Sequence, residues 1–261
     1  MNIAVCIKQV PDSDKVTIDR ETNRLNRAGV PSVINPFDEN ALELGLQLKD
    51  KYGGKVTVIT MGPPQAEEAL RECVSVGADE VILVTDRKFA GSDTWATSYT
   101  LSLAVQKAGD FDVVLFGKQA IDGDTAQVGP GVAYFMDIPV ITYVKEAEKT
   151  DTGFKVKRVT EEGYQLWEVD GKAAFTVVKE ANTMRLPSLK GKMRAKSATI
   201  ITWGADDLGA EDAKIGLKGS PTIVKKVFSP PIKTNRETIQ NEDPKQSVKE
   251  LLGKLKERKL I

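Results

Sequence analysis

Blocks of two kinds alternate along the first 143 residues of the chain. Blocks rich in β-branched residues have the length and composition of buried strands, and they lie at 2–7, 55–61, 80–85 and 113–116. Between these blocks, apolar residues recur at the spacing of one helix face. This alternation predicts an α/β fold in which helices cover both faces of a mostly parallel sheet.

The block at 38–51 fits two patterns. Its leucines at 42, 44, 46 and 48 alternate as in a strand, whereas Ala41, Leu44, Gly45 and Leu48 repeat with helical spacing. The block is long for a strand and rich in Ala, Leu, Glu and Gln, so a helix is favoured. The Asn-Pro pair at 35–36 favours a turn, and Asp38 is predicted to be the N-cap of this helix.

The pattern changes after residue 141. Segments 156–159, 164–169 and 174–179 are predicted to be strands that extend the sheet in antiparallel order. The basic segment 185–196 is either a solvated surface loop or a docking loop anchored by Leu189 or Met193. Little periodicity follows until a final amphipathic helix, for which Asp243 is the predicted N-cap. We therefore expect one domain over residues 1–200 and, over 201–261, an extended arm and helix that contact another chain.

A polar segment with three glycines, at 117–130, follows the strand 113–116 and precedes a predicted helix. Ligands of open α/β sheets bind at this edge. Glycine lets backbone N–H groups approach a ligand, and the polar side chains suit ribose hydroxyls and phosphate oxygens. The segment is predicted to bind a nucleotide or cofactor; the alternative is an ordinary surface loop rich in turn-forming residues.

A second loop leaves the strand 80–85 and enters a helix. Asp93 is in position to cap that helix, and Thr94 and Thr97 lie in its first turns. The free N–H groups and the dipole of a helix N-terminus attract phosphate. Asp93 therefore either caps the helix only or caps it beside a bound ligand.

Composition narrows the chemistry that the chain can perform. Lys plus Arg and Asp plus Glu each number 37 in 261 residues, so net charge favours neither nucleic acid nor an acidic partner. The sequence has no histidine, which excludes Ser-His-Asp and Cys-His nucleophiles. Redox or group-transfer chemistry would therefore depend on a bound cofactor. Cys6 and Cys73 lie in apolar patterns and predict two buried thiols in a reducing cytosol.

Common binding motifs are absent from the sequence. No Gly-x-Gly-x-x-Gly follows the first strand, and no phosphate-binding loop of the Gly-Lys-Ser/Thr type is present. Asp122, Gly123 and Asp124 begin like a calcium loop, but Ala126 occupies the third ligand position and no Glu closes the loop. We therefore expect no metal site, and no apolar run reaches the length of a membrane span.

The polar segment closely resembles the nucleotide-binding loop of the β (small) subunit of electron-transfer flavoproteins. The matching residues there are Gly-Lys-Gln-Ala-Ile-Asp-Gly-Asp-Thr-Ala-Gln-Val-Gly-Pro. The match continues in chain order with Val-Cys-Ile-Lys-Gln-Val-Pro-Asp at 5–12, Asn-Pro-Phe-Asp at 35–38, Thr-Met-Gly-Pro at 60–63, Val-Gly-Ala-Asp at 76–79 and Ser-Leu-Lys-Gly-Lys-Met-Arg-Ala-Lys at 188–196.

This resemblance implies a Rossmann-like α/β subunit that pairs with a larger α subunit, which holds most of an FAD. It also implies an adenosine nucleotide on this chain: AMP in simple carriers, or a second FAD in the electron-bifurcating branch. The run Asp-Thr-Trp-Ala-Thr-Ser at 93–98 resembles the bifurcating branch. The cofactor-binding residues expected on these grounds are Cys6, Asn35, Pro36, Phe37, Asp38, Met61, Asp93, Thr94, Thr97, Gly117, Lys118, Gln119, Ala120, Ile121, Asp122, Gly123, Asp124, Thr125, Ala126, Gln127 and Val128.

The function implied by the resemblance is electron transfer in a heterodimer. FAD on this chain would accept a hydride from NADH, and the two electrons would then part. One would reach a flavoprotein dehydrogenase through the α-subunit FAD, and the other would reach ferredoxin or flavodoxin. We expect a cytoplasmic subunit with no catalytic side chain, whose Leu189 and Met193 dock the dehydrogenase. Two alternatives stay open: a non-bifurcating carrier with structural AMP, and a stand-alone nucleotide-binding protein of the universal-stress type.

Overall fold

The computed structural model describes residues 1–12, 17–18, 25–26, 31–225 and 237–261. Its strands are β1 (Asn2–Ile7), β2 (Gln9–Pro11), β3 (Thr17–Ile18), β4 (Leu25–Asn26), β5 (Ser32–Ile34), β6 (Lys55–Met61), β7 (Glu80–Val84), β8 (Val113–Gly117), β9 (Val140–Lys149), β10 (Gly153–Thr160), β11 (Gly163–Asp170), β12 (Ala173–Val177) and β13 (Ile201–Trp203). Its helices are α1 (Pro36–Tyr52), α2 (Glu67–Val76), α3 (Thr94–Ala108), α4 (Val128–Met136), α5 (Leu189–Ser197), α6 (Gly216–Gly219) and α7 (Pro244–Glu257).

Nine strands form one central sheet in the order β11-β10-β9-β12-β8-β1-β6-β7-β13. The neighbours from β9 to β13 in this order pair in parallel, and β10 and β11 add to β9 in antiparallel order. Strand β1 pairs with β6 on one side and with β8 on the other. The strand order along the chain reverses there, so the topological switch point lies between β1 and β8. The mostly parallel α/β fold predicted from the sequence is confirmed.

The core has two layers, one on each face of the sheet. Helices α1, α2 and α5 pack on one face, where Leu42, Leu70 and Phe175 are fully buried. Helices α3 and α4 pack on the other face with Val105 and Val132. Because both faces are covered, the central strands are apolar at nearly every position, which is the signal that made them recognisable in the sequence.

Helix α1 confirms the helical reading of the 38–51 block. Its leucines at 42, 44, 46 and 48 are all buried, since the helix contacts the core over most of its circumference. A helix buried on many sides loses a clear apolar stripe, which explains the ambiguous pattern. The predicted N-cap is wrong: Asn35 is the N-cap, Pro36 begins the helix, and Asp38 lies within its first turn.

Two further predictions need correction. The segment predicted as the third antiparallel strand, 174–179, corresponds to β12, which lies in the parallel part between β8 and β9. Strand β9 supplies the antiparallel partner of β10 instead. The basic segment 185–196 is not simply a loop, because most of it forms helix α5, with Ser188 as N-cap.

The first part of the predicted arm packs on the rest of the chain. Strand β13 pairs with β7 in the central sheet, and Ala205, Leu208 and Ile215 are buried against it. Residues 226–236 of the arm lie outside the described residues. Helix α7 begins after its N-cap Asp243, as predicted. The division of the chain at residue 200 stays a prediction.

Candidate functional site

The candidate site is the polar crevice at the carboxyl ends of β1 and β8. The chain after β1 passes Lys8 and returns at Asn35 to enter α1, and the chain after β8 runs through residues 118–127 into α4. Because the connections leave β1 and β8 toward opposite faces of the sheet, a crevice opens between them. The sequence predicted correctly that the segment after Gly117 leaves the carboxyl edge of the sheet, and ligand binding at this edge stays a prediction.

Two buried polar side chains hold the walls of this crevice together. The Asn35 amide donates to the carbonyl oxygen of Gln119 at 2.8 Å and accepts from the N–H of Ile121 at 3.1 Å. The Asp38 carboxylate accepts from the N–H of Lys8 at 2.7 Å and from the N–H of Gly117 at 3.0 Å. These four hydrogen bonds join β1, α1 and the start of the polar segment into one unit.

Gly117 is therefore explained by packing rather than by free access to a ligand. A Cβ atom there would lie 2.3 Å from an Asp38 carboxylate oxygen. Its N–H group, which was expected to face a ligand, is already paired with that oxygen. Contact between Gly117 and a nucleotide stays a prediction. The Gly117 N–H group would not be the donor in such a contact, because it is already paired with Asp38.

Burial dominates the electrostatics of this corner. Burial raises the pKa of Asp38 to about 7, although hydrogen bonds from Lys8, Asn35 and Gly117 oppose the shift. Burial, with the nearby Asp38 carboxylate, also raises the pKa of the Cys6 thiol well above its usual range. Cys6 is thus an unreactive buried thiol, and both cysteines are free and buried as predicted.

The open part of the site is the stretch Asp124–Gln127. Asp124 and Ala126 have positive φ angles of 53° and 55°, which few non-glycine residues adopt. Within the described residues, the N–H groups of Thr125, Ala126 and Gln127 and the Thr125 and Gln127 side chains have no hydrogen-bond partner. An unusual backbone that presents unpaired donors is typical of a binding site.

This stretch leads directly into the N-terminus of α4. Its N-cap, Gln127, makes no side-chain cap, so the first N–H groups of the helix are open. The Ser98 hydroxyl donates to the Thr94 carbonyl oxygen at 2.6 Å and lies 3.3 Å from that of Val128. A Cβ on Gly131 would lie 2.3 Å from the Ser98 oxygen, so glycine permits this close approach. The N-termini of α3 and α4 therefore lie side by side.

Asp93 caps α3 as predicted. One carboxylate oxygen accepts from the N–H groups of Trp95 and Ala96, and the other accepts from the Thr222 N–H and hydroxyl. Partial burial alone would raise the pKa of Asp93, but these hydrogen bonds outweigh it and hold the pKa below its usual range. Thr94 and Thr97 lie in the first turn, and neither hydroxyl is paired within the described residues. Whether these residues contact a ligand stays a prediction.

Sequence reasoning did not identify Lys8 as a cation of the crevice, and it placed Lys118 among the expected cofactor-binding residues without its aromatic neighbours. Lys8 directly follows β1, and its ammonium group contacts both Asp122 carboxylate oxygens at 2.7 Å. The Lys118 ammonium lies 5.8 Å from the Phe37 ring centre and 5.3 Å from that of Tyr143, whose φ is 61°. The sequence does contain a signal for Lys8, because it is the first polar residue after the buried strand β1 and therefore lies at the carboxyl edge of the sheet. Tyr143 had no sequence signal, because it lies at an irregularity in the register between β9 and β12, where its φ is positive.

The residues present fit an adenine nucleotide. Unpaired N–H groups and an open helix N-terminus suit phosphate, and the hydroxyl and amide groups at 125 and 127 suit a ribose or phosphate oxygen. Met61, at the end of β6, is partly buried and packs on the same core face as Cys6. Within the described ranges, no group of His, Cys, Asp and Glu is arranged to hold a metal ion.

A second exposed feature lies on the helical face that carries α5. Leu189 and Met193 are 78% and 66% exposed, and neighbouring Leu186 is 90% exposed. Arg194 anchors the helix by donating to the Val74 and Ala78 carbonyl oxygens at 2.8 Å. Arg194 therefore holds the C-terminal end of the surface segment 186–193, which carries the exposed apolar side chains, against the helical layer.

The parallel sheet, its helical layers and the polar crevice at its switch point define a Rossmann-like α/β protein. The model of the electron transfer flavoprotein domain matches residues 22–208. Electron transfer flavoprotein subunit beta of Clostridium acetobutylicum is 47% identical over the full length of both chains. The caffeyl-CoA reductase-Etf complex subunit CarD of Acetobacterium woodii is also 47% identical over the full length of both.

A third relative, protein FixA of Azorhizobium caulinodans, is 46% identical over 92% of this chain and 88% of its own. This chain belongs to the electron transfer flavoprotein family, and its resemblance to the β subunit is confirmed. Family membership makes it an electron-transfer component of oxidoreductase complexes. Among the described residues, no helix is both long enough and apolar enough to cross a bilayer.

Proposed function

We propose that this chain is the β subunit of a heterodimeric, electron-bifurcating electron transfer flavoprotein and binds FAD at the β1/β8 crevice. The observation that carries the proposal is the pair of adjacent helix N-termini, α3 and α4, beside the unpaired donors at 125–127. One N-terminus is sufficient for the phosphate of AMP. The second N-terminus would support the rest of a dinucleotide.

The side chains would act by binding and orientation. The loop 124–127 and the α4 N-terminus would hold the pyrophosphate, with Asn35 and Asp38 keeping the loop in place. Thr94 and Thr97 would donate to the flavin half. When bound, FAD would supply the redox chemistry, which is hydride acceptance from NADH and single-electron transfer to the α-subunit FAD and to ferredoxin or flavodoxin.

The exposed segment 186–193 supports docking of a dehydrogenase. Its exposed apolar side chains are Leu186, which precedes α5, and Leu189 and Met193 on α5, where Lys190 and Lys192 alternate with them along the chain. Such a surface fits a partner with an apolar pocket and an acidic rim. One relative is named as part of a caffeyl-CoA reductase complex, which supports a CoA-ester oxidoreductase as the partner class.

Flavin content decides between the candidate functions. The chain is coexpressed with its α subunit, and FAD and AMP are released and counted per heterodimer. Two FAD per pair, with bleaching of both by NADH under anaerobic conditions, is the expected result. One FAD and one AMP would instead identify a simple carrier. A colourless chain with no copurifying subunit would favour the universal-stress class.

A matched pair of variants tests the assignment to α3. Thr94→Val with Thr97→Val removes two unpaired hydroxyls, and the expected complex loses its second FAD but keeps the α-subunit FAD. Thr202→Val is the control, because Thr202 is an exposed threonine on the edge strand β13 and its hydroxyl has no partner among the described residues. If the second FAD is retained in the double variant, α3 does not bind it.

A further inference from the structure

The segment 204–222, which follows β13, runs along the loop that leads into α3. Its Ala205 N–H donates to the Asp86 carboxylate at 3.1 Å, and its Asp206 carboxylate pairs with the Lys88 ammonium at 3.0 Å. Further along, the Gly216 N–H donates to the Ser92 hydroxyl at 3.1 Å. The segment is therefore attached to the 86–93 loop at several points along its length.

The attachment ends at Asp93, the N-cap of α3. The Asp93 N–H donates to the Ser220 hydroxyl at 2.8 Å. The Thr222 N–H and hydroxyl donate to one Asp93 carboxylate oxygen at 2.9 and 2.8 Å. Because the other oxygen caps Trp95 and Ala96, one carboxylate joins the arm to the first turn of α3.

Close packing restricts the position of this junction. A Cβ on Gly91, whose φ is 77°, would lie 2.6 Å from the Leu217 side chain. The Ser220 hydroxyl also donates to the Gly216 carbonyl oxygen at 2.7 Å, which ties the turn of α6 together. The orientation of Asp93, and with it the first turn of α3, therefore depends on the residues 216–222.

We infer that Ser220 and Thr222 are positioning residues that set the preference of the crevice for FAD over AMP. This inference rests on the proposed function, in which the α4 N-terminus binds the phosphate common to both ligands and α3 supports only the flavin half. Ser220 and Thr222 hold Asp93, and Asp93 orients the turn that carries Thr94 and Thr97. Loss of either hydroxyl therefore weakens FAD binding and leaves AMP binding unchanged.

Competition between the two nucleotides tests the inference. Heterodimers containing Thr222→Val or Ser220→Ala are dialysed against fixed FAD and increasing AMP, and both nucleotides are then counted per heterodimer. The AMP concentration that displaces half of the exchangeable FAD is expected to fall roughly five-fold in each variant, the effect of losing one hydrogen bond. Thr222→Ser, which keeps the hydroxyl, and the control Thr202→Val, whose exposed hydroxyl has no partner among the described residues, are expected to match the wild type.

The ratio of the two affinities separates positioning from general destabilisation. A merely structural loss would weaken AMP and FAD together and leave the displacement midpoint unchanged, which would overturn the inference. An unchanged midpoint with wild-type nucleotide content would overturn it as well. A wild-type heterodimer with no exchangeable FAD would overturn the proposed function and the inference together, so the two failures are distinguishable.

Discussion

Replacing Asp38 with asparagine tests the electrostatics of the crevice most directly. The carboxylate is buried between β1, α1 and the polar segment, and both oxygens accept backbone N–H groups. Asparagine keeps the shape but turns one acceptor into a donor, so the N–H of Lys8 or Gly117 loses its partner. At pH 5 this unpaired donor is expected to lower the free energy of unfolding by about 1–3 kcal/mol.

The pH dependence of the wild type comes from the raised pKa of Asp38. The folded-state pKa of about 7 exceeds the unfolded value of 3.8, so folding favours the protonated carboxyl. This stabilisation is complete below pH 3.8 and is lost as the pH rises through 7. At 1.36 kcal/mol per pKa unit the whole loss is about 4 kcal/mol, of which about 3 kcal/mol falls between pH 5 and pH 8.5.

Asparagine does not titrate, so the variant lacks this loss. Relative to Asp38→Asn, the wild type is therefore expected to lose about 3 kcal/mol of unfolding free energy from pH 5 to pH 8.5, so its advantage at pH 5 disappears or reverses. Urea unfolding of the full-length chain at both pH values measures it. Asp151→Asn, at an exposed turn position, controls for the loss of one negative charge. A difference that stays constant or grows with pH would show that the hydrogen bonds keep Asp38 ionised, and would refute the reasoning.

Three other substitutions have distinct expected outcomes. Gly131→Ala places a Cβ against Ser98 and is expected to lower the free energy of unfolding by about 1–3 kcal/mol, with partial recovery when Ser98→Ala is added, as measured by urea unfolding. Lys8→Met breaks the half-exposed pair with Asp122 and is expected to cost less than about 1 kcal/mol, with the cost falling further in 1 M salt; a larger, salt-independent loss would contradict this. Leu189→Ala is expected to leave flavin content unchanged but to slow electron transfer to the dehydrogenase at low partner concentration; unaltered kinetics would exclude Leu189 as an anchor.

Much of this molecule follows from local pattern alone. The parallel strands β1, β6, β7 and β8 are buried on both faces, so their sequences are mostly apolar, with Thr57 and Thr60 of β6 as buried polar exceptions. The N-caps Asp93 and Asp243 were predicted because a carboxylate two or three residues before open N–H groups is a local requirement. The edge that carries the polar segment followed from strand–helix order, since parallel strands end on one side.

Side-chain roles that depend on distant partners were not predictable in this way. Asp38 has the sequence context of an N-cap. In the folded chain, α1 packs next to β1 and β8, and the buried Asp38 carboxylate accepts hydrogen bonds from the ends of both strands, at Lys8 and Gly117. The attachment of Thr222 to Asp93 joins residues 129 positions apart, and nothing in either neighbourhood indicates the other.

The sequence by itself determined the fold class, the family and the location of the crevice, because these depend on periodicity and on contiguous motifs. Only the tertiary structure decided which donors of that crevice stay free, that α3 and α4 meet at their N-termini through Ser98 and Gly131, and that β12 runs parallel inside the sheet. Hydrogen-bond pairing is a property of three-dimensional neighbours, and a polar residue read along the chain does not reveal whether its partner is a ligand or another strand.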